Sequence, residues 1–330
     1  MKHCILQTKF YLLSVLLSLA SCTQDELAEQ GTSLPDGMYP MKIASASLAG
    51  GAPASRATTD NVWNGETVYV QVVDNYTSGN PQWESATTQT YTVTSSGTMD
   101  RTAGGDVYWQ ASGERKAIRA WYADGDAASA GSLPSTHSVK TDQSSEGYAK
   151  SDFLYAGCTS GFADGKSGIS LAFYHQVAKV KINVIKGEET PADFTVTGLT
   201  INGVAPQGTF TAPIAFRNDN ESHYGAWSVT SQTSSITPHA GTAIGDNTLT
   251  AYEALVIPQT VNSGTKLFTI KAKGYSDFAY TSTEDNTWEA GTEYTYTITV
   301  KGSKLDVSVS SESINWSTNG ASGSGKVELS

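Results

Sequence analysis

The sequence is poor in cysteine and proline, and its leading apolar run is too short to cross a membrane. The 330 residues include three cysteines and ten prolines. Residues 10–20 (FYLLSVLLSLA) are apolar apart from two serines, whereas a membrane-spanning helix needs about 20 apolar residues. Lys2 and Lys9 precede this run and small residues follow it, a pattern that is typical of a signal peptide over residues 1–21.

The three cysteines have different predicted roles. Cys4 lies in the signal peptide. Leu19-Ala20-Ser21-Cys22 resembles the bacterial lipobox, where signal peptidase II cuts before a cysteine that then carries lipid. Cys22 is therefore the predicted lipidation site, with acyl chains such as palmitate as the anchor; an ordinary cleavage site with a chance cysteine is the alternative. Cys158 then has no partner for an internal disulfide and is expected to be a partly buried, unreactive thiol.

Positive charge is also scarce. The net charge is −11, and loss of Lys2 and Lys9 with the signal peptide makes it −13. Such a surface repels phosphate backbones, which argues against nucleic acid as a partner. It also opposes attraction to anionic lipids, so we expect contact with the outer membrane to depend on the lipid of Cys22.

Helical periodicity is nearly absent after residue 32, and strand patterns replace it. In residues 293–301 (EYTYTITVK) aromatic and β-branched residues alternate with Thr, as in a strand with one face in a core. The same pattern occurs at residues 66–73, 116–123, 266–273 and 304–310, with Gly, Asn, Asp and Pro clusters between. The sequence therefore predicts an all-β protein of antiparallel sandwiches or barrels.

One segment changes phase within a run of strand residues. In residues 169–185 (ISLAFYHQVAKVKINVI) the apolar positions shift from odd to even numbers. A single flat strand cannot keep one face buried through such a shift. We therefore predict a bulge or turn at residues 175–178, followed by Lys179, Lys181 and Asn183 facing solvent.

Charge, Gly and Pro break the strand pattern at residues 186–191 (KGEETP). This break predicts an N-terminal domain over residues 38–186 and a C-terminal domain over residues 187–330, each of ordinary size. Residues 22–37 are predicted to be a flexible tether between the lipid and the first domain.

Candidate motifs for catalysis and for metal binding lack the residue spacing that these functions require. Residues 161–167 (GFADGKS) have a glycine one residue too close for a phosphate-binding loop, and a strand pattern follows at Ile169. The histidines are not spaced as zinc ligands are. The oxygen-rich loops at 124–126 and 218–221 supply fewer than the six to eight oxygen ligands that calcium needs. The sequence therefore predicts no catalytic residue, no metal site and no cofactor.

Seven segments carry a resemblance to a known family. They are residues 61–69 (NVWNGETVY), 108–122 (YWQASGERKAIRAWY), 151–156 (SDFLYA), 171–182 (LAFYHQVAKVKI), 252–260 (YEALVIPQT), 294–300 (YTYTITV) and 314–316 (INW). In their order and spacing, which extend over about 250 residues, they resemble the fimbrillin (Mfa-like) family, the subunits of Bacteroidetes type V pili.

The resemblance implies two transthyretin-like β-sandwich domains in tandem and export as a lipoprotein. It also implies maturation by an arginine-specific protease on the outer surface, which removes the first strand. Arg56, before Ala57, matches the cleaved arginine best, and a solvated linker residue is the alternative. Loss of a strand bares a sheet edge that another chain can complete. Residues 305–329 of the next subunit are the expected donor.

The expected function is that of a structural subunit of a surface-exposed pilus (fimbria) that supports cell adhesion and polymerises with other pilin subunits. The alternative is a monomeric lipoprotein of the outer membrane that binds glycan or a host protein. A hydrolase is the least favoured reading, because no nucleophile with a base is recognisable. The sequence does not identify a bound ligand or a stalk, tip or anchor position. The short Gly/Ser-rich tail after Trp316 favours a tip, anchor or minor subunit over a repeated stalk donor.

Overall fold

The computed structural model describes residues 39–49, 58–60, 62–124, 131–213, 223–243, 245 and 247–301, together with the backbone of residues 306–315. Strands dominate these residues, which confirms the predicted all-β class. Within the described ranges, no helix has the length and apolarity needed to span a bilayer.

The strands form two groups by their position before or after residue 176, and β6 is the member of the first group that pairs with the second. The group before residue 176 comprises β1 (Ile43–Leu48), β2 (Thr67–Val73), β3 (Thr87–Val93), β4 (Met99–Gly104), β5 (Arg115–Ala123), β6 (Thr136–Ser138), β7 (Phe153–Gly161) and β8 (Ile169–His175). The later group comprises β9 (Ala178–Lys186), β10 (Val196–Val204), β11 (Gln207–Thr211), β12 (Ala226–Ser228), β13 (Ser234–Ile236), β14 (His239–Ala240), β15 (Thr248–Val256), β16 (Gln259–Val261), β17 (Lys266–Ala272), β18 (Phe278–Thr281), β19 (Asn286–Trp288), β20 (Thr292–Lys301) and β21 (Asp306–Asn315). Single helical turns occur at α1 (Phe162–Gly165) and, as 3₁₀ turns, at Thr58–Asp60, Trp83–Ser85 and Ala149–Ser151.

The first half of the chain is built on a seven-stranded sheet in the order β1-β8-β7-β5-β2-β3-β4. One face of this sheet encloses a core that we call the first core. Alternate residues of β2 supply it, because Val68, Val70 and Val72 are all buried with the intervening side chains on the other face. Trp109 and Phe173 fill its centre and are fully buried.

The second half is a sandwich. A five-stranded sheet, β14-β15-β9-β20-β21, faces a four-stranded sheet, β13-β10-β17-β18, across the second core. The alternation predicted for residues 293–301 is confirmed, since Tyr296, Ile298 and Val300 are buried in that core. Strand pairs are antiparallel except for β1 with β8 and β9 with β20, both of which join strands that are distant in the sequence.

The predicted break in the segment 169–185 is confirmed. β8 ends at His175 and β9 begins at Ala178, so the phase shift marks the point where the chain leaves one sheet and enters another. The predicted exposure of Lys179 and Asn183 is wrong, because both are buried. β9 lies between β15 and β20 and is covered on both faces, which a period-2 pattern does not reveal.

The two halves interleave along the sequence. Residues 38–186, predicted to form the N-terminal domain, contain β6 and β9, which pair with β11 and with β15 and β20 of the second half. Val139 and Tyr148 likewise pack in the second core. The seven-stranded sheet ends with β8 at residue 175, and β9 begins in the five-stranded sheet at residue 178, before the break in composition at residue 186.

Two buried glutamines act as substitutes for backbone groups. The Gln143 side chain accepts a hydrogen bond from Leu255 N and donates one to Leu255 O, each 2.8 Å long. Gln259 forms the same pair with Ala205, at 2.8 and 3.1 Å. A primary amide has one donor and one acceptor in the geometry of a peptide group, so each glutamine satisfies a backbone that no neighbouring strand reaches.

Gln143→Met should lower the free energy of unfolding by about 3 kcal/mol, because it leaves the buried N–H and the buried carbonyl of Leu255 without a hydrogen-bond partner. Gln207→Met, at an exposed position whose amide bonds only the Ser138 hydroxyl, should change it by about 0.5 kcal/mol or less. Urea unfolding of both variants measures the difference. Equal midpoints would show that the Gln143 hydrogen bonds to Leu255 contribute nothing to stability.

Candidate assembly site

Strand β1 is held on both of its edges. It pairs in parallel with β8, with Ile43 opposite Ile169 and Leu48 opposite Phe173. On its other side the Ala46 N–H donates to Gly97 O at 2.8 Å, in the turn between β3 and β4. β1 therefore lies between β8 and the β3–β4 turn, at the point where the two ends of the first sheet approach each other.

The inner face of β1 is part of the first core. Ile43, Ala46 and Leu48 are buried there, and Ser47 is exposed on the other side. Beneath them Trp63 and Phe173 meet edge to face, with ring centroids 5.2 Å apart. β1 is thus held by apolar burial as well as by its backbone hydrogen bonds.

Two glycines make room for β1. Gly97 has φ +81° and a Cβ there would lie 2.5 Å from Ala46 O. Gly168 has φ +106° and its Cβ would lie 2.8 Å from the Ala44 Cβ. Any side chain at either position would push β1 away, so the slot that β1 occupies is fitted closely to it at Ala44 and at Ala46.

Residues directly after the predicted cleavage point are anchored independently of β1. Thr58 and Thr59 are buried, and the Lys179 ammonium donates to Thr59 O at 3.2 Å. Thr58 lies against Asp152, which forms a fully buried pair with His175 at 2.9 Å between Oδ1 and Nδ1. We call Thr58, Thr59, Asp152, His175 and Lys179 the junction cluster, because it lies where the two halves of the chain meet.

The junction cluster balances its charges internally. Burial by itself would raise the pKa of Asp152, but His175 and the Thr58 hydroxyl hold it below its ordinary value. Lys179 lies 3.4 Å from Glu253, and burial of Glu253 is likewise outweighed by this ammonium and by the Tyr148 hydroxyl, which lower its pKa. Charged groups buried in this way are stable only with their partners in place.

The last described strand lies at a sheet edge. β21 pairs along its whole length with β20, from Asp306 opposite Lys301 to Asn315 opposite Thr292. The order of the sheet gives β21 no neighbour on its other side within the described part of the chain. Its position at an edge is what allows a strand to exchange partners without opening the middle of a sheet.

The predicted site residues fall partly outside the described residues. Cys22, Arg56 and Ala57 lie outside them, as do most of the predicted donor segment 305–329 and the two oxygen-rich loops. Cys158 is half-buried as predicted, and burial raises the pKa of its thiol to about 12, which keeps it protonated. No cluster of three or more metal-ligating side chains occurs among the residues that are described.

The sequence did not predict the junction cluster. Thr58 and Thr59 carry no recognisable pattern in the sequence, and His175 lies at the predicted bulge or turn without a predicted partner. Lys179 looked like the polar position of a half-exposed strand. Their meeting depends on contacts as distant as the 120 residues between Thr59 and Lys179.

Solved structures share this fold. A protein assigned to cell adhesion from Bacteroides ovatus ATCC 8483 aligns with a TM-score of 0.57 and 12% identity, over 84% of this chain and 98% of that chain. Another assigned to cell adhesion, from Bacteroides uniformis ATCC 8492, gives a TM-score of 0.52 and 19% identity, over 86% and 100%. No curated protein matches the chain.

A family model described as fimbrillin-like matches residues 55–316. The match covers most of the chain, and it contains the seven segments whose order suggested the same family. It begins beside Arg56, so the first strand β1 lies outside it. The chain therefore belongs to the fimbrillin-like family.

Proposed function

We propose that the protein is a pilus subunit that is made as a lipoprotein precursor and assembles by strand exchange after cleavage behind Arg56. Membership of the fimbrillin-like family supports the role of a surface pilus subunit. The observation that carries the finer mechanism is the position of β1, which fills a slot in the first core and is joined to the anchored Thr58 through the segment containing Arg56.

Cleavage after Arg56 leaves β1 and the residues from Thr58 onwards in two separate chains. The junction cluster holds Thr58 and all that follows, while β1 keeps only its own contacts in the slot. Once β1 dissociates, the β8 edge loses its partner and Phe173 loses its cover, so a strand from another subunit gains both hydrogen bonds and apolar burial by entering. Removal of β1 is the trigger because the slot is otherwise filled.

The C-terminal strand of a neighbouring subunit is the proposed donor. β21 is an edge strand, so its release from β20 breaks one ladder only. Val307 and Val309 alternate with serines, which suits a strand with one apolar face. Before assembly, the lipid of Cys22 is proposed to anchor the precursor at the outer membrane with its two domains facing outwards.

Treatment of the purified precursor with an arginine-specific protease should produce a ladder of polymers, and Arg56→Ala should abolish it. Arg101→Ala, at an exposed arginine of β4, should leave the ladder intact. Gel electrophoresis detects the polymers, and sequencing of the new N-terminus should read from Ala57. A ladder that persists in Arg56→Ala would remove Arg56 from the mechanism. Clipped monomers that never assemble would support the alternative, a monomeric binding lipoprotein.

A substitution that weakens the binding of β1 should allow some assembly without cleavage by the protease. Ile43→Ser removes a buried apolar side chain, and it should weaken the binding of β1 in the slot by about 3 kcal/mol. The uncleaved variant should then form polymers slowly at high concentration, whereas Ser47→Ala, at the exposed face of the same strand, should stay monomeric. Light scattering of uncleaved protein follows the reaction. If Ile43→Ser folds and remains monomeric, β1 is not the element that blocks assembly.

A further inference from the structure

A cleft of about 340 Å³ opens beside β5 and β7, away from the slot of β1. It lies where the outer face of the first sheet meets the end of β11, at Ala212 and Pro213 of the second half. Small-molecule sites commonly have volumes of about 300–1,000 Å³ and lie between structural units. The assembly mechanism uses none of the residues of this cleft.

Arg119 is the charged centre of the cleft. Its Nε donates to Gln71 Oε1 at 2.7 Å, and its guanidinium stacks on the Trp83 ring at 4.2 Å. The Gln71 amide is itself fixed by a 2.8 Å bond to Gly131 O. Both the position and the plane of the guanidinium are therefore set before any ligand arrives, while its Nη atoms remain available as donors.

The Arg119 charge has no close counter-ion among the described residues. Only Glu84 acts on it as a carboxylate, and no carboxylate oxygen lies within ion-pair distance. Arg119 is half-buried, and burial lowers its pKa, although a guanidinium stays charged at neutral pH. A charge held partly out of water without a partner is unfavourable, and an anion in the cleft would remove that cost.

A second group in the cleft lacks a partner as well. The Tyr155 side chain is 2% exposed, and its hydroxyl has no hydrogen-bond partner within the described part of the chain. Burial raises the pKa of this hydroxyl, which outweighs the opposing effect of Arg119, so it stays protonated and can donate. A buried hydroxyl without a partner is costly unless a ligand completes its bonding.

The remaining walls favour a ring that carries both hydroxyls and apolar faces. Asn80 and Gln82 add exposed amides, which both donate and accept, and Pro81, Ala212 and Pro213 add apolar surface. We propose that this cleft binds an acidic monosaccharide unit, a uronic or sialic acid, with its carboxylate on Arg119 and Tyr155. Bidentate pairing with arginine gives the carboxylate both its orientation and its strength of binding.

Calorimetric titration of the purified protein with sodium glucuronate, N-acetylneuraminate, glucose and acetate tests the proposal. At least one of the two acidic sugars should bind at a single site, with glucose and acetate much weaker. Arg119→Lys should weaken that binding about tenfold or more, because it loses the bidentate pair. Arg101→Lys, which changes an exposed arginine elsewhere, should bind as the unchanged protein does.

Two further variants separate a binding role from a structural one. Tyr155→Phe should keep or raise the thermal midpoint, since it removes an unpartnered hydroxyl, yet weaken the acidic sugar severalfold. Glu84→Gln should strengthen binding because it removes a carboxylate whose charge acts on Arg119. The proposal fails if neither sugar binds, if acetate binds as well as the sugars, or if Arg119→Lys and Tyr155→Phe bind them unchanged.

Discussion

The parallel pairing of Ile43–Leu48 with β8 is the contact on which the first half of the molecule depends. It closes the sheet, covers Trp63 and Phe173, and satisfies the edge of β8 along the length of β1. An exposed sheet edge with an apolar floor is a site for pairing with another chain. β1 covers that edge and that apolar floor. In the sequence, residues 49–57 join β1 to Thr58.

That arrangement is useful only if the rest of the fold survives the loss of β1. The junction cluster meets this need, because it fastens Thr58 and Thr59 to Asp152 and Lys179 on the far side of the connection. The second half does not use β1 in its core, and residues 131–151 and β9 tie it to the first half. Under the proposed mechanism, β1 would therefore be exchanged while these other contacts stay in place.

In the proposed mechanism, this division lets one chain of the fimbrillin-like family serve first as a precursor and then as a subunit of a fibre. Assembly would use two sheet edges, at the slot of β1 and at β21. The cleft at Arg119 lies apart from both edges and involves the outer face of the first sheet. Adhesion and polymerisation would then use different surfaces of the same subunit.

The strands could be predicted from the sequence because side chains alternate between the two faces of a strand with a period of two residues, which is a local pattern. The family could be predicted from the order and spacing of the seven segments. Tyr296, Ile298 and Val300 show this, and the phase shift at residues 175–178 correctly located a change of direction. Alternation says which side chains share a face, but it does not say which strand lies beside which. The burial of Lys179 and the membership of β9 in the second sheet were therefore missed.

The amino-acid sequence alone determined that the chain is all β, acidic and similar to pilus subunits. Only the tertiary structure decided that residues 43–48 fill a slot beside residues 169–173, that Thr58 meets Asp152, and that Arg119 and Tyr155 share a cleft. These contacts join residues that are far apart in the chain, and their free energy comes from burial and pairing that exist only once the sheets have formed.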